Sequence, residues 1–166
     1  FKAPAEEAAD LAGKTKELKL ADGAYSGDLT AEAGKVMLQF GRRGGTNAPE
    51  VSGAKGSVKF WLKDGALAKY EYSVQGTVTF NGTTAQSLGG SVATAFNNLI
   101  IGNAAGVTVN VIATVAGTCT VNSGALLLGT GTVAGPVVLN GTIAPGASVG
   151  RLTTGRETWN AGAACK

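Results

Sequence analysis

The chain has 166 residues, 44% of them hydrophobic and 15% charged, with a formal net charge of +3 and no histidine. That hydrophobic content excludes a disordered chain, and the 26 glycines follow no three-residue period, which excludes a collagen-like rod. Without histidine there is no Ser-His or Cys-His nucleophile pair and no imidazole zinc site, and a charge of +3 gives no ground for a nucleic-acid partner.

No apolar run approaches the ~18 residues of a membrane-spanning helix. Residue 1 is Phe and no basic-then-apolar leader follows, which reads as a mature chain or a fragment. Pro4, with Glu6 and Glu7 behind it and Lys14, Lys16 and Lys19 further on, predicts a surface helix over about residues 4–19. Residues 21–27, with two glycines, read as a turn. Thr30 is placed to cap a second helix over residues 31–40, where Ala33, Val36, Met37 and Phe40 share one face and Gly41 follows as a stop. Residues 41–56 read as a loop.

A hairpin is expected over residues 57–80. Val58, Phe60 and Leu62 alternate with Lys59, Trp61 and Lys63, and Tyr70, Tyr72, Val74 and Val78 alternate with polar residues. Asp64-Gly65 marks its turn. A three-residue loop ending at Ala66 sets Phe60 against Tyr70 and Trp61 against Lys69, which keeps one face apolar.

Charge then disappears. Residues 1–86 hold eleven Lys or Arg and ten Asp or Glu; residues 87–166 hold only Arg151, Arg156, Lys166 and Glu157. Such a break points to two structural regimes: a small α+β segment over residues 1–76, repeats over 77–160, and a tail over 161–166. Thr114-Val115-Ala116-Gly117 recurs eighteen residues later as Thr132-Val133-Ala134-Gly135, with Cys119 mapping onto Val137 and Asn122 onto Asn140. Three short strands and three turns in about 18 residues describe one coil of a parallel β-helix, and about four coils fit before residue 155. Thr114 is then expected opposite Thr132, with the asparagines stacked. An antiparallel sandwich is the alternative.

The stretches Thr79–Gln86 and Phe96–Ile101 resemble repeats common in large exported bacterial β-strand repeat proteins, and Val121–Val133 and Leu139–Gly146, with Ser148-Val149-Gly150 after them, resemble the autotransporter-associated β-strand repeat. The resemblance implies a right-handed parallel β-helix and export to the bacterial surface or medium as a passenger. It carries over no catalytic residue, and the partner expected for such a segment is a cell-surface or extracellular one. Residues 22–29, 40–43 and 55–61 resemble part of an uncharacterised family of exported bacterial proteins, and residues 78–83 fit both patterns.

The candidate chemical residues each have a plainer reading. Arg42, Arg43 and the two glycines after them suit a solvated loop better than a phosphate site. Residues 129–135 miss the dinucleotide spacing, with the third glycine one position late. Asp22 and Asp28 lack the ligand density of a calcium loop. Tyr25, Trp61, Tyr70 and Tyr72 read as cross-strand partners before they read as a ligand groove. Asn81 and Asn140, each in an Asn-Gly-Thr, read as turn residues, Cys119 as coil filling and Cys165 as a tail thiol. No catalytic, cofactor or metal residue is assigned. The function expected is therefore non-enzymatic: a secreted or surface structural segment with an open helix edge through which copies associate. The alternative is a binding module in the α+β part that holds an apolar ligand or a protein.

Overall fold

The computed structural model describes residues 4–39, 47–90, 93–146 and 150–166. They divide into two compact units, one drawn from residues 1–41 and 53–76, the other from 42–52 and 77–166.

The first unit contains α1 (Pro4–Gly13), β1 (Lys19–Ala21), β2 (Ala24–Asp28), α2 (Ala31–Leu38), most of β3 (Glu50–Lys63) and the greater part of β4 (Ala66–Phe80). Helix α1 is shorter than its charge pattern suggested. The Lys14 ammonium turns back to Asp10 at 2.7 Å and the Thr15 hydroxyl donates to the Ala12 carbonyl, which satisfies the last turn and releases the chain into β1. Residues 21–27 are a hairpin, not a turn alone. Asp22 and Gly23 take its two left-handed positions at φ 53° and 75°, and Ala24–Asp28 is a strand. Thr30 caps α2 as expected, its Oγ1 accepting from the Ala33 N–H at 3.2 Å. The helix stops at Leu38, and Phe40, Gly41, Arg42 and Arg43 lie outside the described residues.

Residues 50–56, expected in a loop, belong to β3. Asp64 (φ 53°) and Gly65 (φ 79°) form the β3–β4 turn, so two residues separate these strands rather than three. The side chains sort only in part as the alternation requires, since Tyr72 stays exposed. Tyr70 and Val74 pack with Val58 and Phe60, while the Lys69 ammonium stands 4.7 Å from the Trp61 ring centroid. Lys69 also pairs with Glu71. The core beneath the sheet is Ala8, Leu11, Leu29, Ala33, Val58 and Phe60.

The second unit is a parallel β-solenoid of about four coils. Coil one takes its first strand from Thr77–Phe80, the end of β4, so the expected hairpin gives its last four residues to the solenoid. It continues through β5 (Gln86–Leu88) and β6 (Thr94–Phe96). Coil two is β7 (Asn98–Ile101), β8 (Val107–Val109) and β9 (Ile112–Val115); coil three is β10 (Cys119–Val121), β11 (Leu126–Gly129) and β12 (Thr132–Ala134). Coil four is β13 (Val137–Leu139), β14 (Thr142–Pro145) and β15 (Thr153–Thr154). Two further strands, β16 (Glu157–Trp159) and β17 (Ala164–Cys165), stack below it. Residues 161–166 therefore do not hang free as a tail: Ala164 and Cys165 pair with Thr142 and Ile143. Main-chain hydrogen bonds between rungs make three parallel sheets, and alternate side chains point inward. One inward column is Phe80, Ile101, Val121 and Leu139; its neighbour is Val78, Leu99, Cys119 and Val137. All eight are essentially inaccessible.

The eighteen-residue displacement holds on one face only. Cys119 lies opposite Val137, as expected, but Thr114 lies opposite Ala134 and Thr132 opposite Ile112. The coils differ in length at their corners. Asn122 to Ala125 turns in four residues, whereas Asn140-Gly141 makes the same corner in two. Gly141 can do this because a Cβ there would sit 2.3 Å from the Asn122 oxygen.

The expected asparagine stack is present at the corner after the first sheet. Successive registers align Asn81, Gly102, Asn122, Asn140 and Asn160, and Asn160 Nδ2 donates to Asn140 Oδ1 at 2.7 Å. Gly102 is the one rung without an amide. A Cβ there meets nothing closer than 3.6 Å, so Gly102→Asn should be accepted within about 1 kcal/mol of wild type, with a gain where its amide joins the stack. Chemical denaturation measures this; a loss above about 2 kcal/mol would remove the ladder from the description.

Candidate functional site

An apolar opening lies within the first unit. Ala5, Ala8, Ala9 and Ala12 recur at i, i+3, i+4 and i+7, so α1 turns a row of methyl groups toward the sheet. The pairings Leu20 with Tyr25 and Tyr25 with Phe60 place these three side chains in one row on that face. Alanine is too short to cover the row. Leu18, Tyr25 and Leu62 remain 37%, 37% and 48% exposed, and a groove of about 380 Å³ runs beside them with no charged residue in its lining. Its chemistry is that of an apolar seat with a single polar handle, the Tyr25 phenol.

Of the four aromatic residues singled out from the sequence, only Tyr25 lines this groove. Trp61 is engaged by Lys69, and Tyr72 is 48% exposed elsewhere on the hairpin. The Tyr70 hydroxyl donates to Glu7 Oε2 at 2.8 Å and ties α1 to β4. That hydrogen bond raises the phenol above its ordinary value of 10.0. The four alanines went unnoticed in sequence because alanine signals helix propensity rather than a surface; their heptad-like spacing was the available sign.

The remaining candidates are structural. Asp22 sits in the β1–β2 turn and Asp28 ends β2; among the described residues no cluster of carboxylates, thiols or imidazoles is arranged to hold a metal ion. Residues 129–135 form a solenoid corner and β12, with no helix behind them. Cys119 is fully buried and Cys165 exposed, and neither is paired in a disulfide.

Burial pushes the Cys119 thiol up from 9.0 to about 12. The fold thus favours the protonated thiol: its contribution is complete below pH 9 and is lost as pH rises toward 12, by about 4 kcal/mol at the upper end. Cys119→Val should therefore raise the alkaline midpoint of unfolding while changing stability at pH 7 by less than about 1 kcal/mol. A thiol reagent should label one cysteine in the native protein and two after denaturation; rapid labelling of both in the native state would contradict the burial.

No protein-family model matches the chain. Neither does any curated protein or any solved structure. The functional reading accordingly rests on the residues and their geometry.

Proposed function

We propose that the chain is a non-enzymatic structural segment of a secreted or surface-exposed bacterial protein, a passenger-like β-solenoid that serves as a stalk or adhesive surface. The observation that carries this reading is the composition of the coils. Residues 77–150 contain no Asp, Glu, Lys or Arg and the rest of coil four adds only Arg151, so coils one to four offer neither the paired carboxylates of glycoside cleavage nor the basic cluster of a polysaccharide lyase. The interior is filled by stacked aliphatic columns, which make a stiff spacer. The resemblance to the autotransporter-associated repeat supports the exported setting. In the isolated chain β15, β16 and β17 are outermost in their sheets and Trp159 is 46% exposed, and copies of that chain associate through this rung.

The test is display. Placed between an export signal and an outer-membrane translocator, the chain is expected at the surface of intact cells, folded and resistant to mild proteolysis. Retention inside the cell, or release of reducing sugar from a polysaccharide panel, would count against the reading. Light scattering on the isolated chain tests association: a monodisperse monomer at about 100 µM would remove it.

The apolar groove favours a second reading, in which the first unit holds an apolar ligand or protein segment. A thermal shift with fatty acids that disappears in Ala9→Glu would support it.

A further inference from the structure

The opposite face of the first unit's sheet carries a different surface. Lys19 pairs with Ser26 and Ser26 with Lys59, a row that points away from the apolar Leu20, Tyr25 and Phe60 row. One step along, Asp28 pairs with Ser57. Two hollows of about 440 and 490 Å³ open on this face and share Lys16, Asp28 and Ser57, so they form one trough. Lys19 and Lys59 line one end, Lys55, Ser73 and Gln75 the other. Each hollow alone is within the range of small-molecule sites, roughly 300–1,000 Å³.

The charge of the trough is lopsided. Four ammonium groups face two carboxylates, Glu17 and Asp28, and Glu17 is already paired with Lys19 at 3.2 Å. Among the described residues, Lys16, Lys55 and Lys59 have no carboxylate within ion-pair range. Between the cations lie three hydroxyls and a carboxamide, groups that exchange hydrogen bonds with a polyol. No aromatic ring lines either hollow, so there is no platform on which a nucleobase can stack. Asp28 at the centre is an acceptor for the hydroxyls of a polyol.

We infer that this lysine–serine trough binds an acidic glycan strand, its carboxylates or sulfates meeting Lys16, Lys55 and Lys59 and its hydroxyls meeting Ser26, Ser57, Ser73 and Asp28. The inference stands apart from the structural role of the solenoid and does not depend on it.

Titration calorimetry of the whole chain tests it with four probes: a polygalacturonate oligomer, a heparin-derived oligomer, a neutral glucan oligomer and a single-stranded oligonucleotide. One or both acidic oligomers should bind, weakening as salt rises from 50 to 200 mM, and the glucan should not. Which acidic oligomer binds tells uronate from sulfate recognition. The triple variant of Lys16, Lys55 and Lys59 to Gln should weaken binding by about tenfold or more, whereas Lys35→Gln should not. Because all three changes are on the surface, far-UV circular dichroism is expected to match wild type, and the single Lys59→Gln variant serves if the triple does not fold. No heat with either acidic oligomer at millimolar concentration, equal or tighter binding of the oligonucleotide, or unchanged affinity in the lysine variants would overturn the assignment.

Discussion

Gly129→Ala should cost about 3–5 kcal/mol, far more than any ordinary loss of a glycine. Gly129 ends β11 at φ 121°, outside the range that side-chain-bearing residues adopt, and a Cβ there would lie 2.0 Å from the Val109 oxygen. The obstacle is backbone of the rung above, and it cannot move away. Val109 is fully buried, its oxygen accepts from the Gly131 N–H at 2.9 Å, and the Gly129 oxygen accepts from the Gly146 N–H at 2.9 Å. Displacing one rung therefore strains the rungs on both sides. Gly124→Ala is the control: its φ is also positive, at 77°, but a Cβ there meets nothing within 4 Å. It should cost only the left-handed conformation, about 1–2 kcal/mol. Equilibrium denaturation followed by circular dichroism compares the two, and equal losses would mean that inter-rung packing at this corner is not what requires glycine.

Asn103→Ala should cost about 2–4 kcal/mol. Asn103 is 1% exposed, and its side chain makes three hydrogen bonds: Nδ2 donates to the Thr84 oxygen at 2.7 Å and to Gln86 Oε1 at 2.8 Å, and Oδ1 accepts from the Ala105 N–H at 2.8 Å. Gln86, itself buried, extends the network by accepting from the Gly82 N–H at 3.0 Å and donating to the Asn47 oxygen at 2.9 Å. Removing the amide strands several desolvated partners at once, each worth about 1–3 kcal/mol when left bare, with water returning some of it. Asn103→Asp keeps the shape but replaces two donors with a buried negative charge facing oxygens, so it should be the worse variant near neutral pH. Its deficit should shrink as pH falls through the carboxyl's raised titration range, since the protonated form regains one donor. Amide hydrogen exchange should show the loss concentrated in coils one and two. An Asn103→Ala protein within 1 kcal/mol of wild type would mean that the network is dispensable.

These two sites show how unevenly the fold could be read in advance. Gly129 and Asn103 look unremarkable in a segment rich in Gly and Asn. Gly129 matters because Val109 is stacked on it, and Asn103 because its corner is closed over by Thr84 and Gln86. The basic trough was equally hidden. Lys16 and Lys19 belong to one stretch of chain and Lys55 and Lys59 to another, and only the β2–β3 pairing brings them to one face.

Sequence by itself determined what depends on a few neighbouring residues or on a sustained period. The Thr30 cap, the β3–β4 alternation and the switch at residue 77 to short uncharged strands all follow from local chemistry. Stacking of the coils was legible for the same reason, because an inward aliphatic every second residue between turns can be buried only against another copy of the same pattern. Tertiary structure alone decided the register. The recurrence of Thr-Val-Ala-Gly suggested Thr114 against Thr132, yet the coils pair Thr114 with Ala134. Identity between repeats contributes nothing to a parallel ladder; matching main-chain hydrogen bonds and filling the interior column do, and corners of two or four residues absorb the difference.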